Sequence, residues 1–151
     1  MKRHLSMLAL LLALAACTTN PAQRDAERLT LYRAHAAAPV PSFHYFGRLN
    51  GWTPLGESAL VVWTRPSQAY LLELSGRCTD LDFASAISLS NQFGRVYARF
   101  DKVTVIGRGL SAFPCHIREI RSVNVKAVKQ AERDKRSLDQ STAGTSGSGA
   151  T

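Results

Sequence analysis

Three cysteines carry the most reactive side chains in this sequence, and their neighbourhoods differ. Cys17 follows Leu14-Ala15-Ala16, Cys78 follows Gly76-Arg77, and Cys115 lies between Pro114 and His116. A thiol can take an alkyl group as a thioether, oxidise to a disulfide or bind a soft metal as thiolate. Cys17 stands apart, because an apolar run from Leu5 to Leu14 and two small residues precede it. Setting Cys17 aside leaves Cys78 and Cys115 as an even pair, which in an oxidising compartment is most simply a disulfide. Closing that loop stabilises a fold by about 3.5–4 kcal/mol on the chain-entropy account. Metal binding by Cys78, Cys115 and His116 and a redox thiol pair are the alternatives. No CxxC or HxxxH spacing supports a metal site, and no metal or other cofactor is expected.

Among the other candidates, Asp101 interrupts an apolar run beside Arg99 and Lys102, so it is the carboxylate to check for ligand binding or catalysis, against the simpler role of an ion-paired strand residue. Asp80 and Asp82 flank Leu81 and suit the cap of a short helical turn better than a catalytic pair. Trp52 and Trp63, with Phe43, Tyr45 and Phe46, have the flat apolar faces that line a sugar or peptide groove, although core packing is the default for such residues. Of the four histidines, none joins a recognised constellation. There is no HExxH, GxSxG, Walker A loop or GxGxxG, so the motif-bearing hydrolases and nucleotide binders lose their usual support and no catalytic residue is assigned.

The elements that position these residues begin with an address. Lys2 and Arg3, the Leu5–Leu14 run and the small Ala15-Ala16 form a secretory signal over residues 1–16, and the run is too short to span a bilayer. With cysteine at the first mature position the segment resembles a bacterial lipoprotein signal, which implies diacylglycerol on Cys17, cleavage before it and acylation of the new amino group. Two or three fatty-acyl chains anchor durably, where one does not. Thr18 stands where an inner-membrane retention aspartate would, so the periplasmic face of the outer membrane is the expected location. Removal of residues 1–16 lowers the formal charge from +8 to +6. A basic protein there is attracted to anionic headgroups, while nucleic acid is not an expected partner.

Asn20-Pro21-Ala22-Gln23 carries helix-start signals, and Ala22, Ala26, Leu29, Tyr32 and Ala36 share one face, which predicts a helix over 21–37 within a lipidated tether over 17–42. Residues 43–125 then read as a β-rich domain. Strands are expected at Phe43–Leu49, turning at Asn50-Gly51; at Ser58–Thr64 and Ala69–Leu74, paired as a hairpin through Arg65-Pro66-Ser67-Gln68; at Ala84–Ser90; at Arg95–Ile106, bent near Asp101-Lys102; and at Cys115–Val125. Gly107-Arg108-Gly109 and Phe113-Pro114 form the last connection. The tail over 126–151 is charged, with a short solvated helix carrying Val128 to about Arg136, and then Ser/Thr/Gly/Ala-rich and expected to be disordered. The expected fold is mainly β: a small antiparallel curled sheet or partial barrel with an N-terminal helix and one disulfide.

The Cys17 signal, the Trp63 and Ala69–Leu74 strands, Cys78 with Leu81, Phe100-Asp101-Lys102-Val103 and Cys115-His116-Ile117-Arg118-Glu119-Ile120 together resemble a family of small uncharacterised Gram-negative bacterial lipoproteins, a domain of unknown function. The resemblance covers residues 43–123, implies the cysteine pairing and brings no activity. The leading expectation is a non-enzymatic periplasmic binding or envelope-assembly module, held by lipid at the outer membrane and engaging an envelope protein or glycan. A glycan- or lipid-binding module using surface aromatics is the second, and an enzyme of unrecognised type around Asp101 and His116 the third.

Overall fold

The computed structural model describes residues 20–106 and 114–145. Asn20 caps the first helix, α1 (Pro21–Ala34), by accepting a hydrogen bond from the Ala22 N–H on its side-chain oxygen at 3.1 Å, and Pro21 occupies the first turn. Gln23 is not its capping-box partner, since its amide reaches forward to Glu27 instead. The helix ends at Ala34, before residue 37, and the chain continues directly into β1 (Ala36–Val40) and β2 (Ser42–His44). Leu29 and Tyr32 are buried against the sheet, so α1 is a packed layer of the fold and not a free tether.

The sheet is built on an apolar alternation. In β4 (Ala59–Arg65) and β5 (Gln68–Leu74), Leu60, Val62, Leu72 and Leu74 face one core, while Ala59, Val61, Ala69 and Leu71 face another. Successive strand residues point to opposite faces, so nearly continuous apolar runs mean burial on both sides. The hairpin through Arg65-Pro66-Ser67-Gln68 forms as the sequence predicts, with Val62 opposite Tyr70. Strand order is β3–β4–β5–β9–β8–β6, with β1 also on β9, and every pairing is antiparallel; β3 is Gly51–Pro54, β6 Ala86–Leu89, β8 Lys102–Ile106 and β9 Pro114–Val123. A separate two-stranded ribbon joins β2 to β7 (Arg95–Tyr97). The chain is thus mainly β, a curled antiparallel sheet with two helices and one disulfide. Residues 107–113, which hold most of the expected last connection, lie outside the described residues.

Two expected strands are divided. Phe43–Leu49 stops at His44, because β7 offers only a three-residue partner, and the Asn50 N–H instead donates to the Trp63 carbonyl at 2.7 Å as β3 begins. Asn50-Gly51 therefore joins two different sheets and is not a hairpin turn. Arg95–Ile106 is broken at residues 98–101, as the bend near Asp101 predicts. Val96 before the break and Val103 and Val105 after it all reach the same core, which an unbroken period of two forbids.

The second helix, α2 (Val125–Thr145), differs most from expectation. Asn124 caps it by accepting from the Ala127 N–H at 3.1 Å, and Val128 is buried in the core shared with α1. It does not end near Arg136. Ser137, Ser141 and Thr142 bond back to carbonyls three or four residues earlier, so this hydroxyl-rich segment is helical through Thr145. Residues 146–151 lie outside the described residues.

Candidate functional site

The long strand β9 carries the site. Its edge opposite β5 takes β1 at residues 120–123 and β8 at residues 114–116, and the 98–101 turn fills the space between. The turn is stitched to β9 from both ends: the Arg99 N–H donates to the Ile117 carbonyl at 2.6 Å, and the Ile117 N–H donates to the Asp101 carbonyl at 3.0 Å. Arg99 pays for this fit with a left-handed backbone, φ +69°, a conformation a long side chain adopts rarely.

Asp101 holds that turn. It is 3% exposed, and both carboxylate oxygens are engaged. The Ser90 hydroxyl donates to one at 2.6 Å and the Tyr97 N–H to the other at 2.7 Å, while the Lys102 N–H donates to the Ser90 oxygen at 2.9 Å. Asp101 is thus neither the ion-paired strand residue nor an open ligand. It is a positioning residue that closes the turn and pushes Arg99 and Phe100 outward.

The outcome is a cleft of about 470 Å³ bounded by Pro39 and Pro41 on one side, Tyr97 and Phe100 on the other, with Arg99 and Arg118 as its cations and Glu119, already paired with Arg121, as its one carboxylate among the described residues. Phe100 is 72% exposed. Arg99 has no ion-pair partner among the described residues. Arg118 is partly committed: it pairs with Glu73, which also accepts from Arg33 of α1 at 2.8 Å. Burial pushes the Glu73 carboxyl up, but the two guanidiniums outweigh it and hold the group below its ordinary 4.5. Glu73 therefore holds the Arg118 guanidinium and ties the first helix to β5 and β9. An unpaired guanidinium beside exposed aromatic faces suits a carboxylate- or phosphate-bearing ligand.

The other expected site residues fall elsewhere. Cys78 and Cys115 are bridged, with Cα atoms 5.7 Å apart, and Cys78 is fully buried. Trp52 lies opposite Val62 and packs on one core, whereas Trp63 packs on the other beside Val61, so the two indoles lie on opposite faces and share no groove. Trp63 borders a small pocket of about 80 Å³ with Tyr32 and Val128. His116 is exposed opposite Lys102 in the ladder, and neither it nor Asp101 lines the cleft. Asp80 precedes a 3-10 turn at Leu81–Phe83 as expected, but its side chain makes no cap bond. Cys17 lies outside the described residues. Among the described residues, no group of three or more His, Cys, Asp or Glu is arranged for a metal ion, and no helix is long and apolar enough to cross a membrane.

Reading residues one at a time missed Arg99, Phe100 and Arg118. The signal available was the polar interruption Ala98-Arg99-Phe100-Asp101 inside an apolar run, which marked a break without saying that its residues would face Pro39 and Pro41 some 60 positions earlier.

Fold and cleft together define a small disulfide-bridged β module, helix-covered on one face, with a basic aromatic cleft at a sheet opening. The chain belongs to a family of unknown function, DUF6491, whose sequence model matches residues 1–139. No curated protein and no solved structure matches it.

Proposed function

We propose that the protein is a non-enzymatic binding module of the bacterial envelope, anchored by lipid on Cys17 at the periplasmic face of the outer membrane, that takes an acidic segment of an envelope protein or glycan in the Arg99 cleft. One observation carries the binding half of this reading: an unpaired arginine, held in an unfavourable backbone conformation by a buried carboxylate, stands beside an exposed phenylalanine at the mouth of a cleft. The left-handed conformation serves the hydrogen bond from Arg99 to β9, and the same conformation sets Arg99 and Phe100 at the cleft, where strained positions cluster in binding sites. The anchoring half rests on the signal at residues 1–16 and the disulfide, which suits an oxidising compartment.

The anchor also sets the geometry. If Cys17 carries lipid, three residue steps, at most about 10 Å, separate it from Asn20, the N-cap of α1. The start of α1 then lies within that reach of the membrane, in place of the 26-residue tether that residues 17–42 suggest. Crosslinked membranes from cells carrying the wild type, Arg99→Ala or Phe100→Ala provide the test. A partner captured by the wild type and lost from both variants supports the reading, and equal capture by all three, or none by any, overturns it. Asp101 and His116 offer no shared cleft, so the geometry favours no enzymatic reading over this one.

A further inference from the structure

The sequence holds the tripeptide Phe-Gly-Arg twice, at Phe46-Gly47-Arg48 and Phe93-Gly94-Arg95, and the fold brings the two copies together. His44 of β2 pairs with Arg95 of β7, and one step beyond it the Tyr45 N–H donates to the Gly94 carbonyl at 2.8 Å. Both copies therefore sit at the same end of the ribbon. Gln92 and Arg95 exchange backbone hydrogen bonds at 2.8 and 3.0 Å across Phe93 and Gly94, whose φ angles are +51° and +74°. That is a two-residue turn with both central residues left-handed, the geometry that favours Asn-Gly. Phenylalanine is among the least suited residues for its first position.

Phe93 repays that conformation with no internal contact, being 105% exposed, and Phe46 is 76% exposed. The surroundings of the two rings are cationic. Arg48 is exposed and makes no ion pair among the described residues, and Arg95 is braced by Ser42 at 2.8 Å and by a His44 ring nitrogen at 2.7 Å. His44 in turn stacks on Phe46, with ring centroids 6.2 Å apart. Neither segment, 42–48 nor 90–95, contains an acidic residue.

We propose that this twin Phe-Gly-Arg tip is a membrane contact, in which Phe46 and Phe93 enter the interfacial zone of a bilayer while Arg48 and Arg95 meet the phosphates of anionic lipids. Two protruding rings between cations form a wedge and not a flat patch, and the acid-free surroundings complement an anionic surface. The inference takes from the Cys17 reading only the nearness of a bilayer, and it does not depend on the Arg99 cleft.

The test uses the mature chain, residues 17–151, carrying Cys17→Ser, so that neither an acyl group nor the apolar Leu5–Leu14 run contributes, with Phe46→Ser plus Phe93→Asn and, separately, Arg48→Gln added to it. Sedimentation with vesicles of phosphatidylethanolamine and phosphatidylglycerol should show binding that falls by about tenfold or more when both rings are removed. Arg48→Gln should weaken it several-fold at low salt and less at high salt. Both positions are exposed, so an unchanged urea midpoint or better is expected and separates lost contact from lost folding. Equal binding by the ring variant and its parent overturns the proposal, as does binding that ignores phosphatidylglycerol. Capture of a protein by a photocrosslinker at position 46, with vesicle binding unaffected by ring removal, also overturns it and assigns the tip to a protein. Failure of Cys17 to incorporate lipid in cells leaves the vesicle comparison standing.

Discussion

At the scale of single residues, charge and backbone conformation settle what each side chain contributes. Glu73 is 6% exposed and accepts from two arginines whose side chains are each about half exposed. Its folded carboxyl lies below the ordinary 4.5, so its contribution is complete at neutral pH and is lost as pH falls from about 4.5 through the folded value. Glu73→Gln should lower stability at pH 7 by about 1–2 kcal/mol, a modest figure because both guanidiniums are partly solvated. Urea midpoints at pH 7 and pH 3 should show the wild type and this variant converging in acid. Phe93 predicts the opposite sign. Phe93→Asn restores an Asn-Gly pair to a turn that favours it and should stabilise the fold by about 1 kcal/mol, read as a raised Tm. A gain in stability with a loss of vesicle binding is the signature of a residue retained for an external contact.

Between residue and whole fold, the elements matter through what they hold in place. The 98–101 turn depends on Asp101, so Asp101→Ala leaves the Ser90 hydroxyl and the Tyr97 N–H without their acceptor and should cost about 2–3 kcal/mol. It should also abolish partner capture, although Asp101 does not line the cleft, because Arg99 and Phe100 lose their support. Asp101→Asn restores an acceptor for the Tyr97 N–H and can donate to the Ser90 oxygen, so it should recover much of the capture, an outcome that distinguishes positioning from direct contact. The disulfide acts over a longer span. Cys78 and Cys115 are 37 positions apart, and opening their loop by Cys78→Ser should lower stability by about 4 kcal/mol in denaturant titration. That bridge ties the segment after β5 to the start of β9, the strand on which the cleft is built.

Across the whole molecule, the anchor and the domain can be tested together: labelled fatty acid should enter the wild type in cells and not Cys17→Ala, and equal labelling would remove the address. Much of the architecture was legible in the sequence for a local reason. The alternation in Ser58–Thr64 and Ala69–Leu74, the turn between them, the Asn20 cap and the break near Asp101 depend on neighbours a few residues apart. The pairing of Cys78 with Cys115 rested on setting Cys17 apart and pairing the two that remain. Where reading failed, the deciding partner was distant. Leu29 and Tyr32 form a weak apolar stripe that suits a solvated spacer equally well until β4 and β5 supply a surface to bury it. The same holds for Val128 on the second helix, and for Phe43–Leu49, whose length as a strand is set by β7. The cleft joins Pro39 and Pro41 to Arg99, Phe100 and Arg118, and the basic tip joins two copies of one tripeptide. By itself, then, the sequence determined a mainly β chain with one disulfide, because strand periodicity and turn chemistry act within a few residues. Only the tertiary structure decided which residues meet, because burial and cross-strand register are properties of segments that share no neighbourhood in the chain.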